Sequence, residues 1–93
     1  METQYLSTLI MAAEQGSFSK AAERLHLTQS AVSQRIKNME ACCGVQLLDR
    51  SGPVLKPTPA GQHVLEVARQ MVELEHTMLV GLAKLAQRQN LAI

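Results

Sequence analysis

The fold of this chain is decided by residues 18–37, whose sequence is FSKAAERLHLTQSAVSQRIK. Ser17 and Thr28 stand where two helices would begin, and both residue types commonly cap a helix N-terminus. His26 lies in the short connection between the helices, and His is among the side chains that tolerate a positive φ angle. The segment therefore predicts two short helices joined by a tight turn, a helix-turn-helix.

The second of these helices, from Thr28 to about Cys43, separates into two faces when successive residues are placed about 100° apart. The face predicted to be buried is apolar and consists of Val32, Ile36, Met39 and Cys43. The neighbouring arc is entirely polar and consists of Gln29, Ser30, Ser33, Gln34 and Lys37. A solvated helix surface usually carries charges of both signs, whereas this arc is rich in amides and hydroxyls.

The chemistry of the polar arc suits the major groove of DNA. A Gln amide donates and accepts in one plane and can pair with adenine, while a Ser hydroxyl can act as donor or acceptor. Thr28 and the helix N-terminus can hold a phosphate. Arg35 and Lys37 are placed for the DNA backbone, which provides affinity rather than sequence information. Each Ser or Gln alone is as readily an inert surface residue, but together they predict a recognition helix.

The flanking segments predict further elements of a small helical domain. A first helix, ended by Gly16, is predicted from apolar residues at i, i+3, i+4 and i+7: Leu6, Leu9, Ile10 and Ala13. Residues 45–48 and 54–56 are predicted as two short strands, joined by a turn that contains Gly and Pro. This hairpin would flank the helix-turn-helix as a wing.

Thr58-Pro59 predicts the start of a last helix, which continues to about Gln89 and is about 45 Å long. Its apolar residues are three or four positions apart and form a seam: Val64, Val67, Met71, Leu74, Met78, Leu82 and Leu85. So small a domain cannot bury a seam of this length, which favours pairing with a second copy. The alternative is a helix that folds back onto its own domain.

Composition limits the class of protein. The chain has 93 residues, 46% of them apolar but only 2% aromatic, which predicts one domain with an aliphatic, helical core. The net charge is +1, but residues 18–56 carry six basic and three acidic side chains, which favours a nucleic-acid face in that region. No membrane-spanning run or signal-peptide pattern is present, so a cytoplasmic location and no membrane partner are expected.

The sequence predicts neither a metal site nor an enzyme. Cys42 and Cys43 are adjacent and belong to no CxxC or Cys/His cluster, so they are expected to be small, semi-buried residues at a helix end. There is no Gly-rich phosphate loop, and His26, His63 and His76 lack a catalytic constellation. No cofactor and no turnover are expected.

Four segments, in order and with the same spacing, resemble the LysR-type transcriptional regulators of bacteria. They are GSFSKAAERL at 16–25, LTQSAVSQRIK at 27–37, GVQLLDR at 44–50 and PTPAG at 57–61. The resemblance covers residues 1 to about 88, and residues 28–37 are most similar to the subgroup that regulates basic amino-acid export. The chain departs from the family pattern at Ser30, where Pro is frequent, and in a wing that is poor in basic residues.

The resemblance implies a mainly α fold: a winged helix-turn-helix over 1–58, with the helix-turn-helix at 18–37 and the wing at 45–56. A linker and dimerisation helix over 59–89 and a tail at 90–93 would follow. The residues implied to face bases are Gln29, Ser30, Ser33 and Gln34. Lys20 and Lys37 are implied to meet phosphates, and Arg50 with the wing is implied to reach the minor groove. Thr28, Arg35 and Lys56 complete the predicted phosphate and wing contacts.

The partners implied are double-stranded DNA with an inverted-repeat operator and a second copy of the chain, with higher oligomers in the full-length protein. A small-molecule effector would bind only through a C-terminal domain, which family members carry and this chain is expected to lack. The alternative function is a winged helix that serves as a protein-interaction or assembly module. The low net charge and the sparse wing are compatible with that alternative, which ranks second to DNA binding, and an enzyme is the weakest of the three.

Overall fold

The computed structural model describes residues 2–91 and is mainly helical, with one small antiparallel sheet. The helices are α1 (Thr3–Gln15), α2 (Phe18–Leu25), α3 (Gln29–Cys43) and α4 (Pro59–Leu91), and the strands are β1 (Leu48–Asp49) and β2 (Lys56–Pro57). The sheet pairs Leu48 with Pro57 and Asp49 with Lys56. The predicted fold class is confirmed. The last helix runs two residues past the predicted Gln89, and positions 92 and 93 of the predicted tail lie outside the described residues.

The helix ends follow the local sequence. Gly16 ends α1 with a φ of 66°, and its N–H donates to the carbonyl of Ala12. Ser17 Oγ accepts from the backbone N–H of Lys20 at 3.2 Å at the start of α2. At the start of α3, Thr28 Oγ1 accepts from the N–H of Ala31 at 3.1 Å. Both predicted caps are therefore confirmed, and they fix where the two helices of the helix-turn-helix begin.

The turn between α2 and α3 is built on a left-handed residue that is not glycine. His26 has a φ of 56° and a ψ of 42°, and its N–H points to the carbonyls of Ala22 and Glu23. The N–H of Leu27 also reaches the Ala22 carbonyl, at 2.9 Å. This is the Schellman arrangement, which satisfies the free carbonyls at a helix end. The positive φ predicted for His26 is confirmed.

His26→Gly is expected to raise the free energy of unfolding by about 0.5–1 kcal/mol. Glycine removes the steric cost of a Cβ atom at positive φ, and the greater freedom of the unfolded chain offsets part of that gain. The measurement is the urea midpoint at unchanged m-value. His26→Ala, which keeps a Cβ, is the matched control and should not stabilise. A His26→Gly variant no more stable than wild type would contradict the prediction.

The core lies where α1 meets the other three helices and the start of the wing. Its largest fully buried side chains are Thr8, Leu9, Val32, Ile36, Met39, Leu47 and Leu48. Because α1 packs against α2, α3 and α4, its buried face is wider than the spacing predicted. Thr8 and Ala12 are buried beside Leu6 and Leu9, whereas Ile10 and Ala13 are only partly buried.

The prediction for the cysteines is wrong. Cys42 and Cys43 are both exposed, although Cys43 shares the face of α3 that carries Val32 and Ile36. They lie in the last turn of α3, before the chain turns away at Gly44 in a left-handed conformation with a φ of 73°. The buried stripe of α3 therefore ends at Met39.

The strands are shorter and lie later in the chain than predicted. The backbone N–H groups of Leu47 and Leu48 donate to the Glu40 carboxylate, at 2.7 and 3.4 Å. The N–H of Leu55 donates to the carbonyl of Gly16, at 2.9 Å. The N–H groups of Leu47 and Leu55 thus have partners outside the hairpin, and the two strands are limited to Leu48–Asp49 and Lys56–Pro57. The wing is accordingly anchored to α3 and to the α1–α2 connection.

The last helix begins in the domain and continues well beyond it. Thr58 Oγ1 accepts from the N–H of Gly61 at 3.0 Å and donates to the carbonyl of Gln46. Leu65 and Ala68 are buried in the core, and the molecule as a whole extends over 59 Å. The predicted seam is partly buried at Val64 and 44–69% exposed at its other residues: Val67, Met71, Leu74, Met78, Leu82 and Leu85. The helix does not fold back to cover it.

Candidate nucleic-acid interface

The polar arc of α3 forms one continuous surface, which we call the recognition face: Gln29, Ser30, Ser33, Gln34 and Lys37. All five side chains are exposed except that of Ser33, which is half-buried. The opposite side of the same helix is held in the core by Val32, Ile36 and Met39. A rigid helix with one side fixed in this way can present its other side to a groove without reorganising.

Two of the side chains on or beside the recognition face are already oriented by neighbours. Thr28 Oγ1 and Ser30 Oγ are 3.3 Å apart, so one hydroxyl can donate to the other. Gln34 Nε2 donates to Asn38 Oδ1 at 2.9 Å, which directs its amide along the helix. Asn38 was not among the predicted site residues. Its position four residues after Gln34 on a helix is the signal that places the two amides together.

Among the predicted phosphate contacts on the helix-turn-helix, Lys20 and Lys37 are the basic residues whose side chains are exposed. Lys20 lies in the first turn of α2, and Lys37 lies in the middle of α3. Both are on the surface of the protein. Both ammonium groups, that of Lys37 on the recognition face and that of Lys20 on α2, are available to a polyanion.

Arg35 is turned toward α1. Its Nη1 donates to Thr8 Oγ1 at 3.1 Å, and its Cζ lies 5.7 Å from the centre of the Tyr5 ring. Thr8 Oγ1 in turn donates to the carbonyl of Gln4, at 2.9 Å. Arg35 thereby joins α3 to α1 and lies at the edge of the buried stripe, away from the recognition face.

Arg50 also has partners within the chain. Its Nη2 lies 3.1 Å from Glu40 Oε1, and its Cζ lies 5.1 Å from the centre of the Phe18 ring. Glu40 and Phe18 were not among the predicted site residues. Glu40 is the one acidic residue of α3, and a lone carboxylate in an otherwise acid-free helix was the signal available for it.

Lys56 lies opposite Asp49 in the two-stranded sheet. Asp49 Oδ1 accepts from Ser51 Oγ at 2.7 Å and from the Ser51 N–H at 2.9 Å. These two hydrogen bonds, helped by the charge of Lys56, hold the pKa of Asp49 below its ordinary value. Asp49 is therefore ionised at neutral pH and lies across the sheet from Lys56, while Glu40 pairs with Arg50.

Metal binding and membrane insertion find no support among the described residues. Over residues 2–91, no group of three or more His, Cys, Asp and Glu side chains is arranged to hold a metal ion. None of the helices in that range combines the length and the apolar character needed to cross a bilayer.

Residues 3–62 match the model of the bacterial regulatory helix-turn-helix proteins of the lysR family. The chain belongs to this family. Among its curated relatives, the transcriptional regulator TfdS of Cupriavidus pinatubonensis is 43% identical over 77 residues, 83% of this chain. The regulator ArgP of Vibrio vulnificus is 39% identical over 79 residues, 85% of this chain. The matches span 26% of each of these relatives, and the finer subgroup stays a prediction.

Solved structures of the lysR family share the fold. The BenM DBD in complex with catB site 1 DNA has a TM-score of 0.89 and 31% identity, covering 92% of this chain and 96% of that chain. The CbnR DBD in complex with DNA has a TM-score of 0.84 and 36% identity, covering 92% and 99% of the two chains.

Proposed function

We propose that this chain is the sequence-specific DNA-binding part of a bacterial transcription regulator, with α3 in the major groove of double-stranded DNA. The observation that carries the proposal is the recognition face, a charge-poor surface of amides and hydroxyls on a helix fixed by its buried side. The close likeness to two regulator domains solved with DNA supports it. In this proposal residues 1–58 form the DNA-binding unit, and the helix from 59 onward links two copies.

The four amides and hydroxyls of the recognition face are proposed to meet base edges: Gln29, Ser30, Ser33 and Gln34. Small serine side chains let the helix backbone approach the bases, and the two glutamines supply paired donors and acceptors. Lys20, Lys37 and the Thr28 hydroxyl are proposed to contact phosphates, which fixes the register of α3 on the duplex. A nearby helix N-terminus favours a phosphate at Thr28.

The α4 seam is proposed to pair with the seam of a second copy. A two-fold pair of recognition helices matches an operator made of two inverted half-sites. A full-length regulator that contains this chain would form higher oligomers and bind its effector through another domain. Its place of action would be the cytoplasm, with DNA as partner, without a membrane partner, cofactor or catalytic turnover.

The deciding experiment is selection of bound duplexes from a random pool with the 93-residue chain. An enriched inverted repeat, whose binding weakens steeply as salt rises, is the expected result. Equal affinity for the enriched and a scrambled duplex at physiological salt would refute sequence-specific binding. If no duplex were retained at any salt concentration, the protein-interaction module would be the better reading.

Gln29→Ala is expected to reduce discrimination at one base position of the enriched duplex by about 1–3 kcal/mol. The lost amide would otherwise pair with a single base edge, so the preference at other positions should stay unchanged. The measurement is a titration against duplexes substituted one position at a time. Gln87→Ala, an exposed glutamine far along α4, is the matched control and should bind as wild type. A uniform loss across all duplexes would assign Gln29 to the DNA backbone instead.

A further inference from the structure

Arg50 and Glu40 form an ion pair that joins three parts of the domain. The Glu40 side chain is only 13% exposed and that of Arg50 is 34% exposed. One carboxylate oxygen of Glu40 accepts from Arg50, and the other accepts from the N–H groups of Leu47 and Leu48. The Arg50 guanidinium also covers the ring of Phe18, in the first turn of α2. The pair thus connects α3, the start of the wing and α2.

The partners of Arg50 limit what it can do at the DNA surface. If Arg50 turned away to reach a phosphate, the largely buried Glu40 carboxylate would lose its cation. Loss of the cation is unfavourable because it would leave this carboxylate with only the backbone N–H groups of Leu47 and Leu48 as partners. A lone carboxylate would then also face a polyanion. The geometry therefore opposes a DNA contact by this guanidinium.

Apart from Arg50, the wing region has little net positive charge that could attract DNA. Arg50 and Lys56 contribute two positive charges, while Asp49 and Glu40 contribute two negative charges beside them. These four side chains sum to zero. A wing region with so little net charge can fit against DNA by shape, but it cannot release counterions as an array of free cations does.

We propose that Arg50 is a positioning residue, which acts through Glu40 and Phe18 to hold the wing beside α3, in place of the minor-groove contact predicted from the sequence. This inference rests on the proposed function, because what is positioned is the wing relative to a DNA-reading helix. Exposed cations such as Lys20 and Lys37 then provide the salt-dependent affinity, and Arg50 provides specificity.

The first test counts phosphate contacts with a 40-base-pair duplex of random sequence as the probe. Each cation that meets a phosphate contributes about 0.9 to the slope of log affinity against log salt. Arg50→Met is expected to leave the slope unchanged, whereas Lys20→Met, the matched removal of one cation, should lower its magnitude by about 0.9 for each bound chain. A loss in Arg50→Met as large as that in Lys20→Met would overturn the inference.

The second test measures the ratio of affinities for the enriched and the random duplex, at a temperature well below unfolding. Arg50→Met and Glu40→Gln are each expected to lower this ratio by about tenfold, the discrimination of one base contact. The double variant should lower it no further, because both changes break the same link. The amide of Glu40→Gln can still accept from the Leu47 N–H, so this variant probes the ion pair with little change to the backbone.

Two outcomes of the second test would overturn the inference. Additive losses in the double variant would mean that Arg50 and Glu40 act separately. Unchanged ratios with only a lower melting temperature would reduce the pair to a purely structural role. A wild-type chain that bound neither duplex would refute the proposed function itself, which separates that failure from failure of the positioning role.

Discussion

Gly61→Ala is expected to lower the free energy of unfolding by about 3 kcal/mol or more, the upper range for overpacking a core. A Cβ atom on Gly61 would lie 1.9 Å from the carbonyl oxygen of Leu47 and 2.9 Å from its carbonyl carbon. That backbone cannot easily move. The Leu47 carbonyl accepts from the Thr58 N–H at 3.0 Å, and the Leu47 N–H donates to Glu40. Alanine at this position therefore forces α4 away from the start of the wing.

Gly81→Ala is the matched control for this prediction, since it makes the same change in the same helix. A Cβ at Gly81 would meet nothing within 4 Å. Alanine is a better helix former than glycine, so Gly81→Ala should stabilise the chain by about 0.5–1 kcal/mol. Thermal and urea unfolding of both variants give the comparison. If the two changes shifted stability in the same direction, the close approach at Gly61 would not govern the packing of α4.

Features that depend on neighbours along the chain were predictable from the sequence. The caps at Ser17 and Thr28 and the positive φ of His26 each follow from hydrogen bonds that span a few residues. The recognition face and the seam follow from helical periodicity alone. These local rules were enough to place all four helices, with the last helix ending two residues beyond its predicted limit.

Features that depend on distant partners were not predictable in this way. Glu40 takes the N–H groups of Leu47 and Leu48, so the wing has shorter strands than its apolar residues suggested. Arg35 and Arg50 read as free cations, but Thr8 and Glu40 hold them within the domain. The sequence gives the sign of each charged side chain. The partner that neutralises the charge depends on how the helices and the wing pack, which local sequence rules do not predict.

The division of charge in the folded domain bears on how it would read DNA. Lys20 and Lys37 remain exposed, and Lys37 belongs to a recognition face whose other four members are neutral hydrogen-bonding groups. A domain with few phosphate contacts has weak non-specific affinity for DNA. Two domains acting together would then provide much of the affinity for an operator, which gives the α4 seam a direct role in binding.

Leu74→Lys combined with Met78→Lys is expected to make the chain monomeric at micromolar concentration and to weaken binding to an inverted repeat at least 100-fold. Both side chains lie in the middle of the seam and are more than half exposed in the single chain, Leu74 at 69%. Two lysines from each copy would place like charges in an apolar interface, where they are unpaired and desolvated. Loss of the second binding unit forfeits an avidity of about 10²–10⁴.

Light scattering and titrations with full and half operator duplexes would measure both effects. Affinity for a single half-site should be retained, because the recognition face lies on α3 and is not altered by changes on α4. His76→Lys with Gln87→Lys adds the same charges on the opposite side of α4, where both residues are exposed, and should remain dimeric. The prediction would be contradicted if the seam variant stayed dimeric. It would also be contradicted if the variant lost as much affinity for the half-site as for the full operator, because the seam would then not act by joining two DNA-binding units.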